Sequence, residues 1–249
     1  MLLIDIGNTR VKWAYAIQGR LVDHGAALHD PATPLPATAL SAWAQRVPTR
    51  IAVANVRGGD IGRHLADWAQ KQWALTPEFA QVARDALGVH TDYKHVGHLG
   101  VDRWLALLAV RNRAPVGVVG CGTAITIDVL DEQRIHRGGL ILPGLALQRA
   151  SLLQRTAGIR LDDPAAEIDT WDRRLGQDTA ECVAAGTLQA AAGGIARSLA
   201  HINMQFGALS WVITGGDGPQ LNRLLAHRLD NEPGLVLRGL LDIMDGQSK

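Results

Sequence analysis

Two stretches in opposite halves of this chain share one pattern. Residues 2–16, LLIDIGNTRVKWAYA, read as a buried strand from Leu2 to Ile6, a turn on Gly7, Asn8 and Thr9, and an alternating strand from Arg10 to Ala16. Residues 116–130, VGVVGCGTAITIDVL, read as an apolar strand, a turn on Gly120 to Thr123, and an alternating strand with Ile125 and Ile127 on one face. Each pair leads into a third strand, Arg20 to Ala26 in the first case and RIHRGGLILP in the second. A topology written twice implies two related domains. The expected division is 1–113 and 114–249, and 249 residues leave enough chain for a substantial core on either count.

Between these repeats the periodicity changes. The proline-rich HDPATPLPAT reads as a surface connection into a short helix near Leu40 to Arg46, and RIAVANV as a buried strand. A helix is expected from Asp60 to Trp73, with Ile61, Leu65, Trp68 and Ala69 on one face. Another follows Gly100 and runs to about Arg113, with Trp104, Leu105, Leu108 and Ala109 at helical spacing. Val11, Trp13 and Tyr15 alternate with Lys12, Ala14 and Ala16, the signature of a half-buried antiparallel strand with Lys12 directed away from Trp13. Residues 173–206 read as helical in more than one piece, because Gly186, Gly193 and Gly194 weaken a continuous helix. The run WVITGGDGPQ closes the pattern as strand, glycine turn and helix from Pro219 to Leu229.

Composition excludes several classes. Apolar residues make up 47% and charged residues 20%, an ordinary globular balance. The formal charge is +1 with both signs scattered, so no basic patch favours nucleic acid or anionic lipid. No apolar run approaches the roughly 20 residues that span a bilayer, and the N-terminus lacks a basic segment before its apolar one. A cytoplasmic protein is expected. Cys121 and Cys182 are too few and too far apart for a disulfide framework or metal cluster and are read as free thiols.

The turns carry the chemistry. Gly-Asn-Thr-Arg and Gly-Cys-Gly-Thr-Ala present backbone N–H groups and hydroxyls, a cradle for phosphate oxygens. The glycine turn before the last helix offers donors where an anion is favoured. Asp5, at the end of a buried strand, suits Mg²⁺, which prefers one or two carboxylates together with phosphate oxygens. An Asp before Gly-Asn is also a common turn former that caps its own backbone, and the residues alone leave both readings open.

Asp5-Ile6-Gly7-Asn8-Thr9 with Lys12, then Gly100-Val101-Asp102-Arg103, then Gly122-Thr123-Ala124, resemble in order and spacing the motifs of the type III pantothenate kinases. That family belongs to the superfamily of acetate and sugar kinases, heat-shock chaperones and actin. The resemblance implies an α/β fold of two ribonuclease-H-like (actin-like ATPase) domains, each a mixed five-stranded sheet flanked by helices. It implies ATP-dependent phosphorylation of the terminal hydroxyl of pantothenate, the first step towards coenzyme A, by a homodimer with nucleotide between its domains.

Carried over residue by residue, the resemblance makes Asp5, Ile6, Gly7, Asn8, Thr9, Arg10, Val11 and Lys12 the first phosphate loop, with Asp5 near Mg²⁺ and Lys12 reaching phosphate. Thr123 contacts ATP, and Gly215 and Gly216 approach the adenosine side. Asp102 is the general base, although a carboxylate in a first helical turn also suits the helix dipole. Gly100, Val101, Asp102 and Arg103 line the pantothenate pocket, where a guanidinium can fork onto the substrate carboxylate. Tyr93 contacts pantothenate, against the plainer reading of a packing residue. Thr179 reaches pantothenate across the dimer interface, against that of a helix threonine bonded to its own preceding turn. Many members bind an activating K⁺ or NH₄⁺ through an acidic residue where this chain has Gly120, so that dependence needs backbone carbonyls or Asp128 instead. His95 and His98, without a paired ligand set, read as solvated. A sugar or acetate kinase and a nonenzymatic transcription accessory protein are the rival readings.

Overall fold

A computed structural model describes residues 1–30, 32–156 and 175–246. The chain forms two compact units. One comprises Met1–Ala114, Leu130–Gly138 and the segment from Gly234; the other comprises Pro115–Val129 and Gly139–Pro233. The sequence reading keeps everything after residue 113 in the second domain, whereas these units return two later segments to the first.

In the first unit, β1 (Leu2–Ile6), β2 (Arg10–Ile17), β3 (Arg20–Leu28), β4 (Ile51–Asn55) and β5 (Glu78–Phe79) form a sheet of order β3-β2-β1-β4-β5. The first three strands are the expected antiparallel meander, and β4 and β5 add parallel to β1's other side. Alternation divides β1 between two cores. Leu2, Ile4 and Ile6 join Trp13, Trp43, Ile61 and Leu65 on one face, under α1 (Ala37–Ala44) and α2 (Gly59–Trp73). Leu3 and Asp5 therefore face the other way, where α3 (Val101–Val110) and α7 (Leu235–Gly246) pack on β4 and α7 also reaches β1. β2 keeps the expected alternation, with Val11, Trp13 and Tyr15 buried and Lys12 and Ala16 partly exposed, but Ala14 is also fully buried, and α7 meets this strand.

The helix α7 was not anticipated, and it positions α3. A Cβ at Gly239 would stand 1.9 Å from the Leu105 carbonyl oxygen, so only glycine lets the two helices come this close. We expect Gly239→Ala to destabilise the protein by about 1–3 kcal/mol, the usual cost of overpacking, read as a lower midpoint in thermal unfolding. An unchanged midpoint would mean that the α3–α7 contact is looser than described.

The second unit holds β8 (Val116–Cys121), β9 (Ala124–Leu130), most of β10 (Ile135–Pro143), β11 (Ser210–Thr214) and β12 (Asp230–Asn231), in the order β12-β11-β8-β9-β10. β10 begins in the first unit, where β7 (Val89–Thr91) pairs parallel to Ile135 and His136, and β6 (Asp85–Ala86) pairs antiparallel to β7. This sheet thus has seven strands rather than the expected five. Its core of Val119, Ile125, Ile127, Leu188, Ile195 and Ile213 lies against α5 (Thr179–Phe206) and α6 (Gly218–Leu224). A further helix, α4 (Leu145–Arg155), packs along α5.

The expected break in α5 does not occur; it is one helix of 28 residues. Each glycine costs about 1 kcal/mol relative to alanine, but the helix buries Val183, Leu188, Ala191, Ala192, Ile195 and Ile202. Its N-terminus is closed by Asp178, which accepts the Glu181 N–H at 2.8 Å, while the Glu181 carboxylate accepts the Gln177 N–H. The part of that expectation on residues 173–174 lies outside the described residues. The helix expected over Pro219 to Leu229 ends at Leu224. No described helix is long and apolar enough to cross a membrane.

Candidate active site

The first hairpin turn is held from three sides. Gly7 N–H donates to the Arg10 carbonyl at 3.0 Å, and His29 N–H to the Thr9 carbonyl at 3.0 Å. The His29 ring lies 2.9 Å from the Gly7 carbonyl through Nε2, which must donate because a carbonyl only accepts. Burial lowers the His29 pKa, and the bond to the Gly7 carbonyl, which either protonation state can donate, opposes that shift. His29 was missed in the sequence; it meets the turn only because β3 pairs back along β2. Asn8, Thr9 and Arg10 are exposed on the turn, whereas Ile6 and Val11 are core residues that offer the site backbone alone.

Behind this turn sits Asp5, only 7% exposed. Lys12 is its cross-strand partner on β2, and a directly opposed pair shares one face of the sheet. Burial raises the Asp5 pKa from 3.8 to about 6, Lys12 draws it down and Asp102 pushes it up, with no hydrogen bond among these influences. A buried carboxylate that depends on one lysine is short of partners. The donor set, one carboxylate behind a phosphate-sized turn, suits a hard divalent cation.

Asp102 occupies the first turn of α3 on the same face. The N-cap there is Gly100, which has no side chain to offer, so Asp102 caps the helix itself: its Oδ1 accepts the Arg103 N–H at 2.8 Å. Val101 is buried beneath it. Arg103 is also buried, at 8% exposure, and its guanidinium stands over the Tyr93 ring, 5.6 Å from the centroid. The first unit therefore brings together Asp5, Lys12 and Asp102 through their charges, and Arg103 with Tyr93 by contact.

The second hairpin turn, in the other unit, exposes Gly122 and Thr123. Gly215 lies against it with φ +100°, and a Cβ there would stand 2.0 Å from the Cys121 carbonyl oxygen. Asp217 N–H also reaches that oxygen, at 3.4 Å. The Gly215-Gly216 turn and the Thr123 turn are thus neighbours within this unit. Both cysteines are free, and burial pushes the Cys121 thiol up to about 12, which leaves it no nucleophilic role. At Gly120 the nearest atom to an added Cβ is Thr126 Oγ1, at 2.7 Å. Thr179 is exposed at the start of α5 and lines a groove of about 1060 Å³ with Leu147, Leu152, Cys182 and Val183.

Comparison with known proteins gives this geometry a context. A relative from Nitrosococcus oceani named Type III pantothenate kinase is 38% identical, covering all of this chain and 95% of its own length. Among solved structures, a Campylobacter jejuni protein named as a candidate Baf family transcriptional activator matches with TM-score 0.57 at 23% identity, over 100% of this chain and 99% of that one. A Sinorhizobium meliloti protein named as a candidate 2-dehydro-3-deoxygalactonokinase matches with TM-score 0.59 at 12% identity, over 99% and 98%. At these identities the two structures establish the shared two-domain ribonuclease-H-like fold and nothing further. The family model described as Type III pantothenate kinase matches residues 1–201, which takes in both hairpin turns, Asp102 and the start of α5, and the chain belongs to that family.

Proposed function

We propose that the first unit carries the reacting end of the pantothenate kinase reaction, with Asp5 and Lys12 at the phosphates and Asp102 at the alcohol. The reaction itself follows from the family: the γ-phosphoryl group of ATP passes to the terminal hydroxyl of pantothenate, giving 4'-phosphopantothenate, the first step of coenzyme A biosynthesis. The observation that carries the assignment of residues is that α3, whose first turn holds Asp102, packs on β4 beside β1, close enough for the Asp102 charge to raise the Asp5 pKa.

The division of labour follows from charge. Asp5 would hold Mg²⁺, which when bound neutralises the phosphate oxygens and favours departure of ADP. Lys12 adds a fixed positive charge beside it. The exposed turn from Gly7 to Arg10 offers backbone donors to the phosphates, with His29 fixing the carbonyls so that they turn away. Thr123, Gly215 and Gly216 contact the nucleotide. Asp102 orients the hydroxyl of pantothenate and accepts its proton late, as a loose phosphoryl transfer requires. Arg103, carried on Tyr93, pairs with the pantothenate carboxylate, and Gly100 and Val101 contribute backbone.

A homodimer completes the reading, with Thr179 donated to the partner's pantothenate; the exposed apolar Leu147 and Leu152 beside it suit such a contact. The cytoplasm, where ATP is abundant, is the compartment. Gly120 supplies no carboxylate, so turnover in matched sodium and potassium buffers should differ little. The test of function is an ADP-forming assay: turnover that depends on pantothenate and Mg²⁺ and is absent with a panel of hexoses and with acetate is expected. ADP formation driven by a hexose and indifferent to pantothenate would overturn it.

A further inference from the structure

The first unit contains a connected series of groups, two of which, Thr91 and His136, the sequence reading does not absorb. His136, at the start of β10, is fully buried, and its Nδ1 lies 2.9 Å from the hydroxyl of Thr91, which is also fully buried. That hydroxyl accepts the Tyr93 N–H at 3.2 Å. The His136 and Tyr93 rings lie 8° from parallel with centroids 6.0 Å apart. Tyr93 in turn lies beneath the Arg103 guanidinium.

The backbone of this segment is fixed by other means. An Arg84 guanidinium nitrogen donates to the carbonyls of Thr91 and Tyr93 at 2.8 and 2.9 Å, and Asp92 N–H donates to the His136 carbonyl at 3.1 Å. Packing alone would be served by an apolar residue at position 136, since a buried polar ring costs free energy unless it is bonded. Histidine adds the bond to Thr91, which helps to fix the rotation of its ring and so the surface that Tyr93 lies along. Arg103 is a long side chain, and the ring beneath it is one of the surfaces that direct its guanidinium.

We propose that His136 is a positioning residue for pantothenate recognition: held by Thr91, it sets the plane of Tyr93, and Tyr93 aims Arg103 at the substrate carboxylate. The inference rests on the reading of Tyr93 and Arg103 as substrate groups. It gives His136 no contact with substrate and no part in proton transfer, so its removal acts on the pantothenate side of the reaction and leaves the nucleotide side alone.

Steady-state kinetics of five variants tests it, with thermal midpoints measured alongside. Arg103→Gln examines the underlying reading and should raise the pantothenate KM at least tenfold; an unchanged KM would overturn that reading, and the proposal with it. His136→Phe keeps a flat ring without the bond, and Thr91→Val keeps the shape without the hydroxyl. Each should raise the pantothenate KM about tenfold with the ATP KM within twofold, and Thr91→Ser should restore it. The double variant His136→Phe/Thr91→Val should be no worse than Thr91→Val alone, because that substitution already removes the His136 bond together with the Tyr93 N–H contact. If Arg103→Gln behaves as expected but His136→Phe and Thr91→Val keep the wild-type pantothenate KM, or raise both KM values equally, or if the double variant is worse than Thr91→Val, the positioning role is wrong. Should His136→Phe fail to fold, His136→Asn, which can keep the Thr91 bond but has no ring for Tyr93 to lie along, should raise the pantothenate KM in the same way, and an unchanged KM overturns the role.

Discussion

Asp102→Asn lowers kcat by about 10²–10⁴-fold, the range that removal of a general base produces, while the affinity for MgATP stays within a few-fold. The amide keeps the size of the carboxylate and can still accept the Arg103 N–H that closes the first turn of α3, so the helix start is not lost with the charge. What is lost is the carboxylate proposed to take the proton of the alcohol. Removing the charge also relieves Asp5 of the one neighbour that pushes its pKa up, so the nucleotide side should be undisturbed or slightly improved. Single-turnover kinetics with equilibrium binding of ATP separates the two effects. A variant that turns over at the wild-type rate removes Asp102 from the chemistry.

The second large effect is expected at Asp5, and it has two parts of opposite sign. Asp5→Asn should lower kcat/KM for MgATP by about 10²-fold or more, roughly 2.7 kcal/mol or above, since the carboxylate proposed to hold the metal is gone. The same substitution should stabilise the ligand-free protein. Burial is the main reason that the Asp5 pKa rises from 3.8 to about 6 in the folded state. The folded form therefore binds the proton more tightly than the unfolded form. That relation makes stability fall as pH rises from about 4 to about 6, and above that range the folded state bears the full cost of the ionised group. A shift of this size corresponds to at most about 3 kcal/mol at pH 7. Thermal unfolding of the apo variant should show a higher midpoint at pH 7 and little difference near pH 3.5. A lower midpoint at pH 7 would mean that the carboxylate is a structural element rather than a group held for its ligand. In the wild type, Mg²⁺-dependent ATP binding should weaken as pH falls through about 6, where the proton displaces the metal.

How much of this could be read without coordinates depended on the distance over which each contact forms. The two hairpins were legible because their information is local: alternation, a glycine turn, and an acid at the end of a buried run. Asp102 and Arg103 were legible as a motif at a helix start, and the structure adds that Arg103 is buried beside Tyr93. The helix α7 carries a legible polar stripe, Arg238, Asp242 and Asp245 at spacings of four and three, but Gly239 within it argues against a helix by propensity; only the close approach to Leu105 explains that glycine. The strands β5, β6 and β7 have two or three residues each, too few for any period to show. At Gly186, Gly193 and Gly194 the apolar stripe of α5 outweighs the propensity cost of glycine. His29 and His136 could not have been found by spacing, for their partners lie 22 and 45 residues away in the chain.

The central claim is that the carboxylate in the first turn of α3 faces the alcohol that receives the phosphoryl group. A crystal structure of the protein with pantothenate and a nonhydrolysable ATP analogue measures this directly. The account predicts an Asp102 oxygen within about 2.6–3.2 Å of the terminal hydroxyl of pantothenate, with that hydroxyl in line with the outermost phosphate. A hydroxyl lying beyond the reach of one bridging water from Asp102, in a complex where both ligands are ordered, would contradict it.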